Sequence, residues 1–411
     1  MKNATQHRII NRILSAVLFL ALAVVAIAAT AESVQSVGQM TFADANTVII
    51  ADWRASEIHA LRLSAIHSVT PKPFNLKNVS APIARALRTH PENLHFEDMA
   101  FRPGAELAYI AISVDRGERV PRPALVSVDV VGKVAVVDLS RTPHTSAKIK
   151  SRPAANERFW HDLPVAAYTV TDMVFDQGKL YVAGLSGESF ASTLRVYDFP
   201  FTSAEVSTSI EMYHTTHNQL ETRAPIRKMV IANLNGEASL IAAYTCTPLV
   251  TIPLKDLKNG AHVVGKTIAE LGWGSAPVDM LRFDAGQGSM VLLVNSHKSA
   301  DLMSVSAIAE ASSKPGLSTP IKWPSEPLLG LKSAYIPMAG IAHLGDQDKD
   351  FFGALRRDTE SGAMELVSVR KSAFLRVSDF VNEYDFPDFR FEPSDPWRGF
   401  LQMRQVQLTR E

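Results

Sequence analysis

The sequence predicts an all-β protein built from one antiparallel unit that repeats along the chain, and three observations indicate this. Residues 171–175, 180–184 and 194–199 are short, largely apolar runs separated by polar connections, a pattern typical of an antiparallel meander. The same succession of runs recurs along the 411 residues. Helix-like segments are few, and the clearest, residues 302–311, falls at a strand position of the repeat.

Repeated short meanders predict a β-propeller of six or seven four-stranded blades, preceded by a signal peptide. The alternatives that share this strand content are a β-sandwich and two unrelated β domains. Repetition of three strands in one order favours the propeller, because each thin sheet then buries its faces against its neighbours.

The copies align on a methionine in the first strand of each unit. These first strands are residues 38–42, 97–101, 171–175, 227–231 and 278–282, with a looser sixth copy at 337–341. Successive methionines are about 50 to 75 residues apart, a period expected of propeller blades with variable loops.

The remaining strands of the unit become more polar from the second to the fourth. The second strands are residues 48–51, 108–111, 181–184, 240–243, 291–294 and 352–355. The third strands include residues 134–139 and 302–305, and the fourth strands include residues 72–79 and 267–271. Continuous apolar runs suit second strands that are buried on both faces, whereas alternation places the third strands further out.

The first 31 residues predict a signal peptide. A basic start is followed by an apolar run over residues 13–29 and by the small-residue pattern Ala29-Thr30-Ala31, which is typical of a cleavage site. We therefore expect a mature chain that begins near Glu32 and is periplasmic or secreted. The alternative is an uncleaved anchor, the one case in which we expect contact with a membrane.

Residues 32–378 are assigned to the propeller and residues 379–411 to a C-terminal tail. The tail combines many aromatic side chains with interleaved acids and prolines. It is interpreted either as a clasp over the last blade or as a docking strip for a partner.

Composition restricts the class of partner. The formal net charge is zero and 46% of the residues are hydrophobic, so the chain can form a large core and has no basic excess for nucleic acid. Cys246 is the only cysteine, which excludes a disulfide within the chain.

Tyr181-Val182-Ala183-Gly184 follows a glycine-containing turn. In this position it resembles the repeat signature of secreted bacterial β-propellers of the YVTN and quinohaemoprotein amine dehydrogenase β-chain type. The resemblance covers most of the mature chain and implies the fold only.

Three groups of residues are candidates for binding. The first is His214, His217 and Cys246, whose imidazole and thiolate groups suit zinc or copper. The alternative is that the two histidines are solvated and that the cysteine is a small core residue.

The second group is the aspartate that precedes the methionine in three units, namely Asp98, Asp172 and Asp279. A ring of carboxylates around the axis of a propeller could hold calcium. The alternative is that each aspartate accepts hydrogen bonds from turn amides.

The third group, Asp52, Trp53 and Arg54, follows the second strand of the first unit. Here the indole could stack on a ligand, or it could be a wedge between blades.

These patterns predict an exported binding or scaffold protein that presents a site for a small ligand or a protein partner on one face. Motifs for nucleotide binding, serine hydrolysis, zinc proteolysis and haem attachment are absent from the sequence, and no catalytic residue is assigned. The alternatives are a metal-dependent enzyme or redox subunit with a His/Cys site, and a calcium-dependent propeller hydrolase.

Overall fold

The computed structural model describes residues 34–246, 248–272, 274–285, 288–322 and 324–371, together with 388, 390 and 392–394. The predicted signal peptide and most of the predicted tail lie outside the described residues. The chain divides into two units, residues 1–371 and 372–411, and the fold below is that of the first unit.

The first unit is mostly β-strand. The first strands in chain order are β1 (Met40–Asp44), β2 (Thr47–Asp52), β3 (Glu57–Arg62), β4 (Asn75–Leu76), β5 (Leu94–Phe101), β6 (Leu107–Val114), β7 (Arg122–Asp129), β8 (Val134–Val137) and β9 (His144–Lys148). The next are β10 (Asp172–Asp176), β11 (Lys179–Leu185), β12 (Ser192–Asp198), β13 (Val206–His214), β14 (Gln219–Glu221), β15 (Ile226–Leu234), β16 (Glu237–Tyr244), β17 (Pro248–Pro253) and β18 (His262–Glu270). The last are β19 (Pro277–Asp284), β20 (Ser289–Asn295), β21 (Ala300–Ser304), β22 (Leu329–Gly330), β23 (Ala334–Ile336), β24 (Ile341–Asp346), β25 (Phe351–Arg357) and β26 (Met364–Arg370).

Within the described residues, two short α-helices accompany these strands, α1 (Ser80–Ala86) and α2 (Val305–Ser313). The hydroxyl of Ser304 caps α2 by accepting a hydrogen bond from the backbone N–H of Ala307 at 3.1 Å, which satisfies a donor left free at the start of the helix. In the described ranges, no helix has the length and apolar character needed to span a bilayer.

The strands form a propeller-like arrangement that includes four separate four-stranded blades. Their strand orders are β1-β2-β3-β9, β5-β6-β7-β8, β19-β20-β21-β23 and β24-β25-β26-β4. A ten-stranded sheet has the main order β10-β11-β12-β13-β18-β17-β16-β15, with β14 beside β13 and β22 beside β18. Strands β13 and β18 are parallel, whereas the runs on either side of them are antiparallel.

The innermost strands contact one another in a closed cycle. Going round, β1 contacts β10, then β15, β19, β24 and β5 follow in turn, and β5 contacts β1 again. Between neighbouring sheets lie the hydrophobic cores, such as the one that joins Ile49 and Ile58 to Leu180 and Val182. All six residues of β2 are buried, as its continuous apolar pattern predicts.

Two sheets are each completed by a strand from a distant part of the chain. After β3 the chain adds β4 to the outer edge of β26, where Leu76 pairs with Leu366. It then forms α1 and β5–β8, and returns to add β9 to the edge of β3. The last sheet is therefore closed by residues near the N-terminal end of the described chain.

Several predicted strands were wrong in position. The sixth first strand is β24, which begins at Ile341, so residues 337–341 were aligned too early. Residues 134–139 contain β8, a fourth strand, because β7 occupies the third position. Residues 72–79 contain β4, which belongs to the last sheet and not the first. Residues 302–311 divide between the end of β21 and α2.

A close approach between sheets explains one glycine in β25. A Cβ atom built on Gly353 would lie 2.0 Å from Cζ of Phe101 and 2.3 Å from its Cε2. Phe101 is buried against Phe74, with the ring centroids 5.4 Å apart, so the ring has little freedom to move.

We predict that Gly353→Ala lowers the unfolding midpoint by an amount equivalent to about 1–3 kcal/mol, because the new methyl group overlaps a buried ring. Adding Phe101→Leu should recover part of this loss, which a double-mutant cycle measured by chemical unfolding detects. Gly38→Ala is the control. A Cβ atom built on Gly38 would lie 3.6 Å from its nearest neighbour, the carbonyl oxygen of Ala51, which is an ordinary van der Waals distance. Equal losses in the two glycine variants would contradict the overlap.

Candidate functional site

Six residues at equivalent positions of the innermost strands form a cluster, which we call the axial cluster. The strand pairing places Asp172 opposite Ala183, Lys228 opposite Ala243 and Asp279 opposite Val294. In order round the cycle of sheets, the cluster consists of Gln39, Asp172, Lys228, Asp279, His343 and Asp98. Aspartate therefore alternates with a residue that can donate a hydrogen bond.

An irregularity in the strand pairing precedes four members of the axial cluster. The register shifts immediately before Asp98, Lys228, Asp279 and His343. An extra residue in a strand bends it and changes the direction in which the next side chain points. Four of these first strands share this device for directing a polar side chain at the cluster.

Each aspartate of the axial cluster is hydrogen-bonded to the next innermost strand of the cycle. Asp98 Oδ2 accepts from the backbone N–H of Met40, Asp172 Oδ2 from that of Met229 and Asp279 Oδ2 from that of Leu344, each at 2.7 Å. The three bonds join three pairs of innermost strands through the same geometry. The alternative that these aspartates accept backbone amides fits the structure, although the donors belong to another innermost strand and not to a local turn.

Lys228 balances the negative charge of the axial cluster. Its Nζ lies 2.9 Å from Gln39 Oε1, 3.5 Å from Asp172 Oδ1 and 3.7 Å from Asp279 Oδ1. Burial lowers the pKa of Lys228, but the nearby charges of Asp279, Asp172 and Asp98 outweigh it and raise the pKa above its usual value. The lysine is therefore a buried ammonium ion.

Burial has the opposite effect on the carboxyl groups. It raises the pKa of Asp172 to about 7, with Lys228 opposing the shift and Asp279 adding to it. Burial also raises the pKa of Asp98, whose Oδ1 lies 3.4 Å from Nδ1 of His343. The other ring nitrogen of His343 is 3.0 Å from the carbonyl oxygen of Phe96, which fixes the ring.

Asp98, Asp279 and His343 offer three buried ligand atoms within 4.8 Å of one another. A cation held there would have to share the space with the ammonium group of Lys228, since that group already lies 3.7 Å from Asp279. Like charges at such separations repel strongly where water is excluded. The geometry therefore favours a structural role for the axial cluster over a calcium site.

The other candidate residues lie on one side of the sheets, which we call the upper face. They are Asp52, Trp53, Arg54, His214, His217 and Cys246. Innermost strands such as β1 begin there, near Gln39. Because successive strands are antiparallel, second strands also end there, as β2 does at Asp52 and β16 at Tyr244.

Asp52 is fully buried and holds the chain around it. Its carboxylate accepts hydrogen bonds from the backbone N–H groups of Gln35, Arg54 and Ala55, and from the hydroxyl of Ser36 at 2.7 Å. Burial raises the pKa of Asp52, but its interactions with His59, Ser36 and the backbone N–H groups outweigh it and lower the pKa. Asp52 therefore positions Trp53 and Arg54, since its own oxygens are already engaged.

Trp53 and Arg54 line a cleft of about 500 Å³ on the upper face, together with Arg152 and Arg158. We call these four residues and the space between them the arginine cleft. The guanidinium carbon of Arg54 lies 4.3 Å from the centroid of the Trp53 ring. Arg152 donates to the hydroxyl of Ser56 at 3.1 Å, which ties the second guanidinium group to the turn that follows β2.

The arginine cleft is cationic. In the described ranges, no carboxylate forms an ion pair with Arg54, Arg152 or Arg158. Burial lowers the pKa of Arg54, an effect that the charge of Asp52 opposes. The guanidinium group is thus partly removed from water and has no carboxylate within ion-pair distance in the described ranges, a condition in which an anionic ligand would stabilise it.

His214, His217 and Glu221 come together at the β13–β14 hairpin, and we call these three residues the histidine hairpin. Glu221 accepts at its Oε2 from Nδ1 of His214 at 2.9 Å and at its Oε1 from Nδ1 of His217 at 2.5 Å. Burial raises the pKa of Glu221, but the bonds from the two histidines outweigh it and lower the pKa to about 2. Glu221 is therefore a carboxylate at neutral pH.

Cys246 lies in the turn after β16, with a φ of 66°. Burial raises the pKa of its thiol, and the charges of Glu270 and Glu221 add to this effect. Its sulfur does not belong to the group of ligand atoms formed by the histidine hairpin. Of the three predicted metal ligands, the structure therefore brings the two histidines together and replaces the cysteine by Glu221.

No family model matches the chain, and no curated protein matches it. Among solved structures, the chain is similar to hydrazine synthase of Kuenenia stuttgartiensis, with 8% identity and a TM-score of 0.36 over 84% of this chain and 98% of the other. It is also similar to Raptor of Chaetomium thermophilum, with 12% identity and a TM-score of 0.30 over 81% and 28% of the two chains. A bifunctional GH43-CE protein of Bacteroides eggerthii gives 11% identity and a TM-score of 0.33 over 73% and 34%. All three scores are below 0.5, so the propeller-like fold rests on the strand order of this chain.

Sequence reasoning missed two kinds of residue. Lys228 and His343 stand where three other units have aspartate, and aligning that position in every unit could have found them. Arg152 and Arg158 lie in the long connection that precedes β10, and Glu270 ends β18. No local pattern marks these three residues, because their neighbours come from other strands.

We predict that Lys228→Met destabilises the protein by about 3–5 kcal/mol, because it leaves buried carboxylates without their counter-ion. Lys255→Met, which removes an exposed ion pair with Glu237, is the control and should change the unfolding midpoint little. Adding Asp172→Asn to Lys228→Met should recover part of the loss, as measured by thermal or chemical unfolding. Similar midpoints for the two lysine variants would contradict this role of Lys228.

We also predict that stability falls with rising pH through Asp172. Its pKa is about 7 in the folded chain and about 3.9 when unfolded, so the folded state binds the extra proton between these values. The favourable contribution is complete below about pH 4 and is lost as pH rises through about 7, at roughly 1 kcal/mol per pH unit.

The variant Asp172→Asn should flatten this slope in unfolding measurements between pH 5 and 8. Lys228 adds no slope, since its pKa lies above this range in both states. Asp138→Asn is the control: the hydrogen bond from Ser140 lowers the pKa of Asp138, so this variant should parallel the wild type. An unchanged slope in Asp172→Asn would show that the aspartate does not take up the proton.

Proposed function

We propose that this chain is an exported β-propeller of six blades that binds a small anionic ligand in the arginine cleft of its upper face. The observation that carries the proposal is that three arginines and a tryptophan line one cleft. In this proposal the protein binds and presents its ligand, and no catalytic residue is assigned to it.

The count of six blades is supported by the innermost strands. Six of them contact one another in a closed cycle, one for each antiparallel run of strands. The ten-stranded sheet then counts as two blades that meet at the parallel pair of β13 and β18. A closed ring of blades would leave no long exposed strand edge at its centre with which another chain could pair.

Export is proposed from the sequence of residues 1–31 alone. Placement in the periplasm or outside the cell would expose the arginine cleft to small solutes. The resemblance to secreted propellers of the YVTN and amine dehydrogenase β-chain type agrees with export. Both the resemblance and export stay proposals.

The chemistry of the cleft supports a ligand with a carboxylate or phosphate group and a flat apolar part. Guanidinium groups donate paired hydrogen bonds to such anions. The ring of Trp53 lines the same cleft, with the guanidinium group of Arg54 over one of its faces, and Pro164 and Ala166 supply apolar surface. The calcium-dependent hydrolase has less support, because Lys228 already places a positive charge in the axial cluster.

The test is a calorimetric titration of the full chain with phenyl phosphate, and with inorganic phosphate and phenol as separate probes. We predict that phenyl phosphate binds more tightly than either probe. Arg54→Gln and Arg152→Gln should each weaken its binding by about tenfold or more, since a hydrogen bond to a charged group contributes about 1.5–3 kcal/mol.

Arg141→Gln is the matched control, because Arg141 is an exposed arginine paired with Asp138 outside the cleft. It should leave the affinity unchanged. Failure of phenyl phosphate to bind, or equal weakening by Arg141→Gln and Arg54→Gln, would overturn the proposed ligand class.

A further inference from the structure

We propose that the histidine hairpin is a binding site for a divalent transition-metal ion, with His214, His217 and Glu221 as ligands and Glu270 as the group that orients His214. This site is separate from the arginine cleft and does not depend on the proposed ligand. The ion class is zinc or copper, because two imidazoles and one carboxylate suit these metals.

The hairpin itself brings the ligands together. Strands β13 and β14 pair with His214 opposite Gln219 and Met212 opposite Glu221, so His214 and Glu221 are diagonal neighbours on one face of the hairpin. His217 lies in the turn between the strands, and its backbone N–H donates to the carbonyl oxygen of His214 at 3.2 Å. The two imidazole rings are 4.2 Å apart between centroids.

The separations of the ligand atoms fit a single ion. One ring nitrogen of each histidine and one carboxylate oxygen of Glu221 all lie within 4.8 Å of one another. Metal bonds of about 2.0–2.2 Å place the ligand atoms of a tetrahedral ion roughly 3.3 Å apart. The distances of 2.9 Å and 2.5 Å to Glu221 therefore need to open by less than about 1 Å.

The second ring nitrogen of His214 supplies independent support. His214 is 2% exposed, and its Nε2 has no hydrogen-bond partner within the described part of the chain. This nitrogen faces Oε2 of the fully buried Glu270 at 3.8 Å. A histidine that binds a metal through one nitrogen usually donates its other N–H to a carboxylate. Glu270 is placed to become that acceptor, since a small approach of its Oε2 would bring Nε2 of His214 within hydrogen-bond distance.

Glu270 is fixed from the other side by Thr215, whose hydroxyl donates to its Oε2 at 2.8 Å. The site is closed on the side of His214 and Glu270, and it is open on the side of His217, whose side chain is 47% exposed. Three protein ligands with an open side leave a position for water or for an exchangeable group.

The test uses the full chain, stripped with a chelator and titrated with Zn²⁺ by calorimetry, and with Co²⁺ by visible absorption. We expect one ion per chain and cobalt absorption bands typical of a low-coordinate site. His217→Ala, which removes an exposed ligand, should weaken Zn²⁺ binding at least 100-fold. Glu270→Gln should weaken it by about 10- to 100-fold, as loss of an orienting partner does.

The matched control is His262→Ala. His262 also faces a glutamate, with its Nε2 at 3.7 Å from Glu211, but the pair has no third ligand in the described ranges. This variant should bind Zn²⁺ as the wild type does. Fewer than one ion per chain, or equal loss in His262→Ala and His217→Ala, would overturn the proposal.

Cys246→Ser tests the ligand set that the sequence alone predicted. Retention of Zn²⁺ affinity and of the cobalt spectrum supports ligation by two histidines and Glu221. Loss of affinity, together with loss of a sulfur-to-cobalt charge-transfer band in the near ultraviolet, would replace Glu221 by the thiolate and overturn the proposed set.

Discussion

The structure depends on a charge balance at the centre of the sheets, where Lys228 is buried among Asp98, Asp172 and Asp279. A buried carboxylate is costly unless it is both hydrogen-bonded and paired with a charge. Each aspartate uses one oxygen to accept a backbone amide of the next innermost strand, and the cluster as a whole is compensated by one ammonium group. The arrangement links the innermost strands in a fixed register, because sliding one strand by a residue would break both kinds of contact.

Closure of the sheets relies on the order in which the chain supplies strands. The outer strand β9 of the first sheet follows β5–β8 along the chain, and the outer strand β4 of the last sheet comes from near the start. Residues close in space, such as Leu76 and Leu366, are thus distant in sequence. These contacts hold the described unit together without a disulfide, and the apolar cores between adjacent sheets supply the main stabilisation.

The arginine cleft and the histidine hairpin share the upper face but differ in chemistry. The cleft combines guanidinium groups and an indole ring that suit an anion, whereas the hairpin combines imidazoles and a carboxylate that suit a cation. Both lie where strands end and connections begin, at positions held by a rigid β scaffold. Propeller-like folds commonly carry binding groups there, because connections can vary without disturbing the packed strands.

The sequence by itself determined the all-β class, the repeated unit and most of the inner strands, because burial between sheets imposes continuous apolar runs that can be read directly. It also singled out the three axial aspartates, the two histidines, Trp53 and Arg54 as candidates for binding, which stays a prediction. It misplaced β4, β8 and β24, where short polar strands or a shifted register leave little pattern.

Only the tertiary structure decided that Lys228 accompanies the aspartates, that Arg152 and Arg158 join Trp53, and that Glu221 and Glu270 flank His214. The physical reason is that these groups meet through packing between strands that are remote in sequence, or through the fold of a hairpin. The spacing of apolar residues along the sequence does not specify such contacts.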